Sequence, residues 1–243
     1  MSSAESESAM TATWTEIVPG LWRSAYATPN HIAAASFALR LKDGEIAVIS
    51  PCCAPDDAFF AATEVLGKVT TLVAPNTGHD SGQGLWQARY PSADIHAPEV
   101  AIRAFAKSYP KLRPMKPLAA LANKLPLGVT LADPPGTSSG IMQLAVDAGG
   151  QRVLFVDEGL SNASALTGPA PFRFIFWLTG SGPGIARNKV WWFVFAKDKR
   201  AIASQLLGEI DRFKPTILMP LHGEPISGEG IATARALLVP LAN

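Results

Sequence analysis

One stretch, residues 72–85, constrains the fold of this chain more than any other. It begins with an apolar Leu-Val-Ala run, as expected at the end of a buried strand, and Pro75 and Asn76 end that strand. A turn that contains glycines and His79 follows, and a helix is expected to begin near Leu85. Open α/β sheets place their functional groups just past the carboxyl ends of strands. The stretch therefore predicts an α/β protein with a candidate site at His79.

The residues before this stretch predict a hairpin, a helix and a strand. Residues 36–41 and 46–50 are apolar strand-like runs, and the Asp-Gly pair between them is a strong hairpin signal. Residues 55–66 have apolar positions at helical spacing, with aspartates at the start and a glycine after the end. Residues 69–74 are the strand that leads into the turn before His79.

Two later strands also end in polar residues. Residues 153–156 are apolar and are followed by Asp157, and residues 216–220 are followed by Leu221, His222 and Gly223. Because Asp157, His222 and His79 each lie in a turn just after the end of a strand, we expect them to meet at one edge of the structure.

These features resemble the metallo-β-lactamase superfamily, whose first ligand loop has the pattern His-x-His-x-Asp-His-x-Gly. Residues 77–84 align with that loop, and the order of elements is similar over nearly the whole chain. The Ala-Pro-Asn sequence before His79 is most similar to a divergent branch treated as a domain of unknown function. The resemblance implies a four-layer αββα sandwich that occupies residues 14–243 as one domain.

The resemblance also implies a metal site made of His79, Asp157 and His222. Other positions where the superfamily places site residues hold Thr77, Ser81, Gly82 and Gly136. Two histidines and one carboxylate can hold one metal ion with open positions. We therefore expect one zinc or other divalent metal at most, or none, with hydrolytic activity weak or absent.

Alternatives stay open at this point. The chain could be a single-metal hydrolase of an ester, thioester or lactone, or a non-enzymatic module that binds a ligand or partner. His79 could instead cap a helix or bind a loop carbonyl, Asp157 could cap the turn over residues 158–161, and His222 could be a loop histidine without function. Each of these local roles requires only the hydrogen bonds that loop residues ordinarily form.

Two aromatic segments flank a glycine-rich turn. Aromatic segments such as residues 172–177 and 191–195 are most often buried in the core of a globular protein. An exposed part would instead indicate an interface or an apolar ligand. We expect four of their side chains to contribute to a lid or packing surface beside the site: Phe174, Phe176, Trp191 and Phe193.

Composition limits the partners. The formal net charge of +1 gives no sign of a nucleic-acid or anionic-membrane partner. A small-molecule ligand or substrate stays open. Cys52 and Cys53 are adjacent and form no disulfide framework, which favours a reducing compartment, the cytoplasm. Residues 1–13 lack the pattern of a signal peptide and are expected to be a disordered tail. The sequence contains no apolar run of the ~20 residues that a membrane span requires.

Overall fold

Two β-sheets form the middle of the molecule in the computed structural model, which describes residues 13–242. Most of the expected N-terminal tail, residues 1–12, lies outside the described residues. Within the described range, no helix has the length and apolar character needed to cross a bilayer.

The first sheet has seven strands, paired in the order in which they occur in the chain. Its first four strands are antiparallel and its last three continue in parallel, because a helix or loop connects each of them to the next. The strands are β1 (Thr15–Val18), β2 (Leu21–Ala27), β3 (Ala33–Arg40), β4 (Ile46–Ile49), β5 (Val69–Val73), β6 (Asp94–Ala97) and β7 (Lys116–Pro117). The predicted hairpin joins β3 to β4, and Gly44 takes a positive φ of 79° in its turn.

The second sheet has five strands in the order β14-β13-β10-β9-β8. Only β10 and β13 are parallel, so Asp157 and Pro220 end these strands at the same edge. The strands are β8 (Val129–Ala132), β9 (Gln143–Ala148), β10 (Gln151–Asp157), β13 (Ile217–Pro220) and β14 (Ile226–Ser227). A separate antiparallel pair consists of β11 (Ser161–Ala163) and β12 (Gly184–Ala186).

Seven α-helices and one 3₁₀ helix surround the sheets in the described residues. They are α1 (Asp57–Leu66), α2 (Gln83–Arg89), α3 (Glu99–Ser108), the 3₁₀ helix (Leu118–Lys124), α4 (Ala170–Thr179), α5 (Lys189–Val194), α6 (Lys199–Phe213) and α7 (Glu229–Ala242).

The three larger of the four apolar clusters in the described residues lie between the four layers. The central core lies between the sheets, where the rings of Phe37 and Phe155 pack edge to face with centroids 5.1 Å apart. An outer core places Trp86 of α2 and Phe59 of α1 against the first sheet. The other outer core places α6 and α7 against the second sheet, with Leu206 among its members. This arrangement confirms the predicted αββα sandwich.

The first aromatic segment is not core. It forms α4, a helix that has no buried residue, because the chain leaves both sheets between β11 and β12 and α4 packs mainly beside α5. Trp191 and Trp192 of α5 are buried, whereas Phe193 is exposed. The core interpretation therefore holds for part of the second segment and fails for the first.

Candidate metal centre

His79 lies in the loop after β5 and is 3% exposed. Asn76 shapes this loop, because its Oδ1 accepts a hydrogen bond from the backbone N–H of Gly78 at 2.7 Å. The Nδ1 atom of His79 is 3.0 Å from Oγ of Ser50, which follows β4 and has a positive φ of 51°. With Nδ1 held in this way, Nε2 faces the space between the two sheets' edges.

Glu158 supplies a carboxylate at the same edge. It follows Asp157, which ends β10 with a positive φ of 49° and so turns the chain. Oε2 of Glu158 accepts a hydrogen bond from Nδ2 of Asn188 at 2.9 Å. Asn188 also caps α5 through its Oδ1 and the N–H of Trp191, so α5 fixes one oxygen and leaves Oε1 for the site.

His222 follows β13 and completes the group. Its Nδ1 donates to the backbone carbonyl of Ala33 at 2.7 Å, so its Nε2 is the nitrogen left for a ligand. Gly223 has a φ of +92°, and a Cβ there would lie 2.1 Å from the backbone of Asn162. Only glycine fits beside β11 at this point, which explains the His-Gly sequence.

These three side chains converge. Nε2 of His79 is 2.9 Å from Oε1 of Glu158, Nε2 of His222 is 3.2 Å from the same oxygen, and the two nitrogens are 3.3 Å apart. One ligand atom from each residue lies within 4.8 Å of the others. Zinc bonds of ~2.0–2.2 Å in a tetrahedron separate ligand atoms by ~3.3–3.6 Å. The donor set and its spacing therefore fit one divalent ion after slight widening.

The charges of Glu158 and the two histidines shift one another's pKa values. Burial alone would lower the pKa of His222, but the Glu158 carboxylate beside it raises that pKa to about 9. Burial would raise the pKa of Glu158, yet the charge of His222 and hydrogen bonds from both histidines hold it well below its usual range. Burial lowers the pKa of His79 despite its contact with Glu158. These shifts favour an ion pair between buried Glu158 and partly exposed His222, beside a neutral His79.

Asp157 lies next to this group but directs its carboxylate elsewhere. Oδ1 accepts a hydrogen bond from Nδ2 of Asn76 at 2.6 Å, and Oδ2 accepts one from the backbone N–H of Met142 at 2.7 Å. Burial and the neighbouring Glu158 charge raise its pKa well above the usual value. Of the three residues expected as ligands, the structure thus brings His79 and His222 together with Glu158, while Asp157 ties the His79 loop to β9 and β10.

Sequence reasoning overlooked Glu158. The signal was present as the Asp-Glu pair at the end of a strand, but a strand-end pattern cannot say which of two consecutive carboxylates faces the site. The positive φ at Asp157 decides it, and no residue type in the sequence announces that turn.

The structure shows what surrounds the positions where the superfamily has site residues and this chain has none. A Cβ at Gly82 would lie 2.1 Å from the carbonyl oxygen of Pro51, so no side chain fits there without moving the backbone. Gly136 has a φ of +105° and lies against Ile202 of α6. Ser81 is exposed. Cys52 is buried with a pKa raised to about 12 by that burial, and Cys53 donates to the carbonyl of Ala27, so neither is placed as a reactive thiol.

The site opens toward α4. The side chains of His79 and Glu158 are 2% and 8% exposed, whereas that of His222 is 19% exposed. Two adjoining recesses reach His222, and both are lined by Phe172 and Phe176. Phe176 and Trp191 thus lie beside the site as expected, while Phe174 and Phe193 are exposed to solvent.

Comparison with known proteins gives one consistent result. No family model and no curated protein matches the chain. Solved structures do match in shape. The metallo-β-lactamase from Pontibacter korlensis has a TM-score of 0.61 at 14% identity, with 94% of this chain and 99% of that chain covered. The metallo-β-lactamase FIM-1 from Pseudomonas aeruginosa, in its mono-zinc form, has a TM-score of 0.57 at 15% identity, with 95% and 96% covered.

A third structure, the metallo-β-lactamase from Hirschia baltica, has a TM-score of 0.58 at 14% identity over 93% of this chain and 97% of that chain. Such low identities carry the fold and leave the activity open. From one end of the described residues to the other, this chain has the metallo-β-lactamase fold.

Proposed function

We propose that this protein binds a single divalent metal ion through His79, Glu158 and His222. The observation that carries the proposal is the convergence of two Nε2 atoms and one carboxylate oxygen within 4.8 Å. Two histidines and a carboxylate form a recurrent metal-binding set with open positions. Ser50 and the Ala33 carbonyl orient the two rings from behind, as partners of metal-bound histidines usually do.

The surroundings support one ion rather than two. Gly82 and Gly136 offer no donor, and the packing around Gly82 excludes a side chain. Asp157, the carboxylate that could have bridged two ions, already accepts hydrogen bonds from Asn76 and Met142. We accordingly propose that the two-metal hydrolytic chemistry associated with the fold is absent and that hydrolysis is weak or absent.

A second candidate function is hydrolysis at a single metal. A bound divalent ion would supply Lewis-acid polarisation of a carbonyl or water. The apolar recess beside His222 favours this alternative, because Phe172 and Phe176 could hold the acyl portion of an ester, thioester or lactone. Asn188 lines both recesses beside His222, and Glu158 lines the second of them.

Zinc titration of metal-free protein by calorimetry, together with native mass spectrometry, tests the metal proposal. One bound ion per chain in the wild type and none in Glu158→Gln supports it, and unchanged binding by Glu158→Gln rejects it. Turnover of medium-chain acyl thioesters and lactones by the zinc-loaded protein separates the two functions. Saturable turnover that Glu158→Gln abolishes would favour the hydrolase, and turnover unaffected by that change would exclude it.

A further inference from the structure

Helix α4 exposes an apolar surface that the fold does not use. None of its ten residues is buried, although seven of them, residues 172 and 174–178 with Ala170, are apolar. Trp177 is 63% exposed, Leu178 is 67% exposed and Phe174 is 58% exposed. A soluble protein rarely leaves adjacent large apolar side chains in water without a partner.

Helix α5 extends this surface. Phe193 is 81% exposed and Val194 is 48% exposed. We call the surface made by Phe174, Trp177, Leu178, Phe193 and Val194 the docking face. It is formed by two short helices packed side by side rather than by scattered single residues.

The two sides of α4 have different neighbours. Phe172 and Phe176, one turn apart, stack with ring centroids 5.2 Å apart and line the recess that contains His222. Phe174 and Trp177 pack at 6.1 Å on the exposed side. One helix thus separates the recess from whatever contacts the docking face.

Basic residues surround the docking face. Residues 168–200 contain six arginines and lysines and one acidic residue, Asp198, whose carboxylate caps α6 at the N–H of Ala201. Within residues 13–242, none of those six basic residues forms an ion pair. Lys199 places its Nζ 5.7 Å from the ring centroid of Phe193. Five of the six are exposed: Arg173, Lys189, Lys197, Lys199 and Arg200. The local charge therefore differs from the nearly neutral whole chain.

We propose that the docking face binds the surface of a lipid bilayer that contains anionic lipids. Exposed Trp, Phe and Leu side chains enter the boundary between headgroups and acyl chains, and nearby lysines and arginines contact the anionic headgroups. A ten-residue helix is ~15 Å long, so α4 would lie in the interface and not cross it.

A second copy of the chain fits this face less well. A symmetric dimer brings the same patch of each copy together, so two sets of the five exposed basic residues would lie in or beside one interface. Like charges facing each other oppose association, whereas an anionic surface neutralises them. Docking in this way would turn α4, and the recess behind it, toward the bilayer, and it does not depend on the proposed metal.

Vesicle flotation with the full chain tests the proposal. We expect binding to vesicles of phosphatidylcholine mixed with phosphatidylserine, weaker binding to phosphatidylcholine alone, and loss of binding as salt is raised. The double variant Phe174→Ser/Trp177→Ser should lower the partition coefficient at least about tenfold, because its side chains no longer enter the bilayer. The pair Lys197→Gln/Lys199→Gln should lower it roughly fivefold for each charge removed.

Matched controls come from exposed residues elsewhere. Val65→Ser/Leu127→Ser removes two side chains that are 85% and 103% exposed, and Lys42→Gln/Lys68→Gln removes two exposed charges. Both pairs should bind vesicles as the wild type does. No binding by the wild type to phosphatidylserine vesicles would overturn the proposal, as would equal loss in the control variants. A concentration-dependent dimer that Phe174→Ser/Trp177→Ser disperses, without vesicle binding, would assign the face to a second copy instead.

Discussion

Asp157 and Glu158 are consecutive in the chain, yet their carboxylates bind different partners. Asp157 accepts hydrogen bonds from Asn76 and Met142, and Glu158 contacts the Nε2 atoms of His79 and His222. The positive φ of Asp157 separates the two directions. One carboxylate therefore holds the loop and the other faces the site.

The first prediction follows from this division. Glu158→Gln should reduce zinc binding below detection by calorimetry, because an amide oxygen is a poor substitute for a carboxylate ligand. Asp157→Asn should keep the metal but lower the free energy of unfolding by about 1–3 kcal/mol, since an amide N–H₂ would face a hydrogen-bond donor. Urea unfolding and zinc titration of both variants measure the two effects. If Asp157→Asn abolished zinc binding and Glu158→Gln kept it, Asp157 would be the metal ligand instead.

The second prediction concerns Ser50, whose Oγ is 3.0 Å from Nδ1 of His79. Ser50→Ala should weaken zinc binding about 10- to 100-fold, because the His79 ring loses the nearer of the two hydroxyl groups beside its Nδ1, the other being that of Tyr26 at 3.4 Å. Ser24 is also buried, but its hydroxyl has no hydrogen-bond partner among residues 13–242. Ser24→Ala is therefore the control, and equal affinities for the two variants would show that Ser50 does not position His79.

The third prediction is a pH dependence of the metal-free protein. The pKa of His222 is about 9 in the folded state and ordinarily 6.5, so its stabilising contribution is complete below about pH 6.5 and is lost as pH rises through about 9. The lowered pKa of His79 acts in the opposite sense, because unfolding lets His79 take up a proton as pH falls through about 6.5.

Urea unfolding of chelator-treated protein between about pH 5 and pH 10 measures this effect. His222→Gln should lose part of the decline in stability on the alkaline side, while His31→Gln, a change outside the site, should keep it. If the wild type and His222→Gln decline in parallel, the Glu158–His222 ion pair contributes nothing to stability.

The fourth prediction concerns Gly82, which stands where the superfamily has a metal ligand in this loop. Gly82→Ala should destabilise the fold by about 1–3 kcal/mol or more, because its Cβ would meet the Pro51 carbonyl at 2.1 Å. Gly84 lies in α2 with only Leu112 within 4 Å of such an atom, at 3.9 Å. Gly84→Ala should be neutral or stabilise the helix by up to about 1 kcal/mol. Thermal unfolding compares the two, and equal stability would mean that the loop can accept a side chain at residue 82.

Much of the fold was readable from local patterns. The Asp-Gly hairpin, the apolar runs of β5 and β10 and the helix α1 all follow from periodicity and turn chemistry. His79 and His222 were identifiable as strand-end histidines. The α4 segment was harder, because a run of aromatic residues has the same composition whether it is buried or exposed. The role of Glu158 could not be predicted from the sequence, because it depends on the positive φ of Asp157, which composition does not encode.

The most direct test of the single-metal account is the anomalous diffraction of a zinc-soaked crystal, measured at the zinc absorption edge. The account predicts one peak per chain, within bonding distance of Nε2 of His79, Nε2 of His222 and Oε1 of Glu158. Two peaks in the site, a peak bound by Asp157, or no peak at saturating zinc would contradict it.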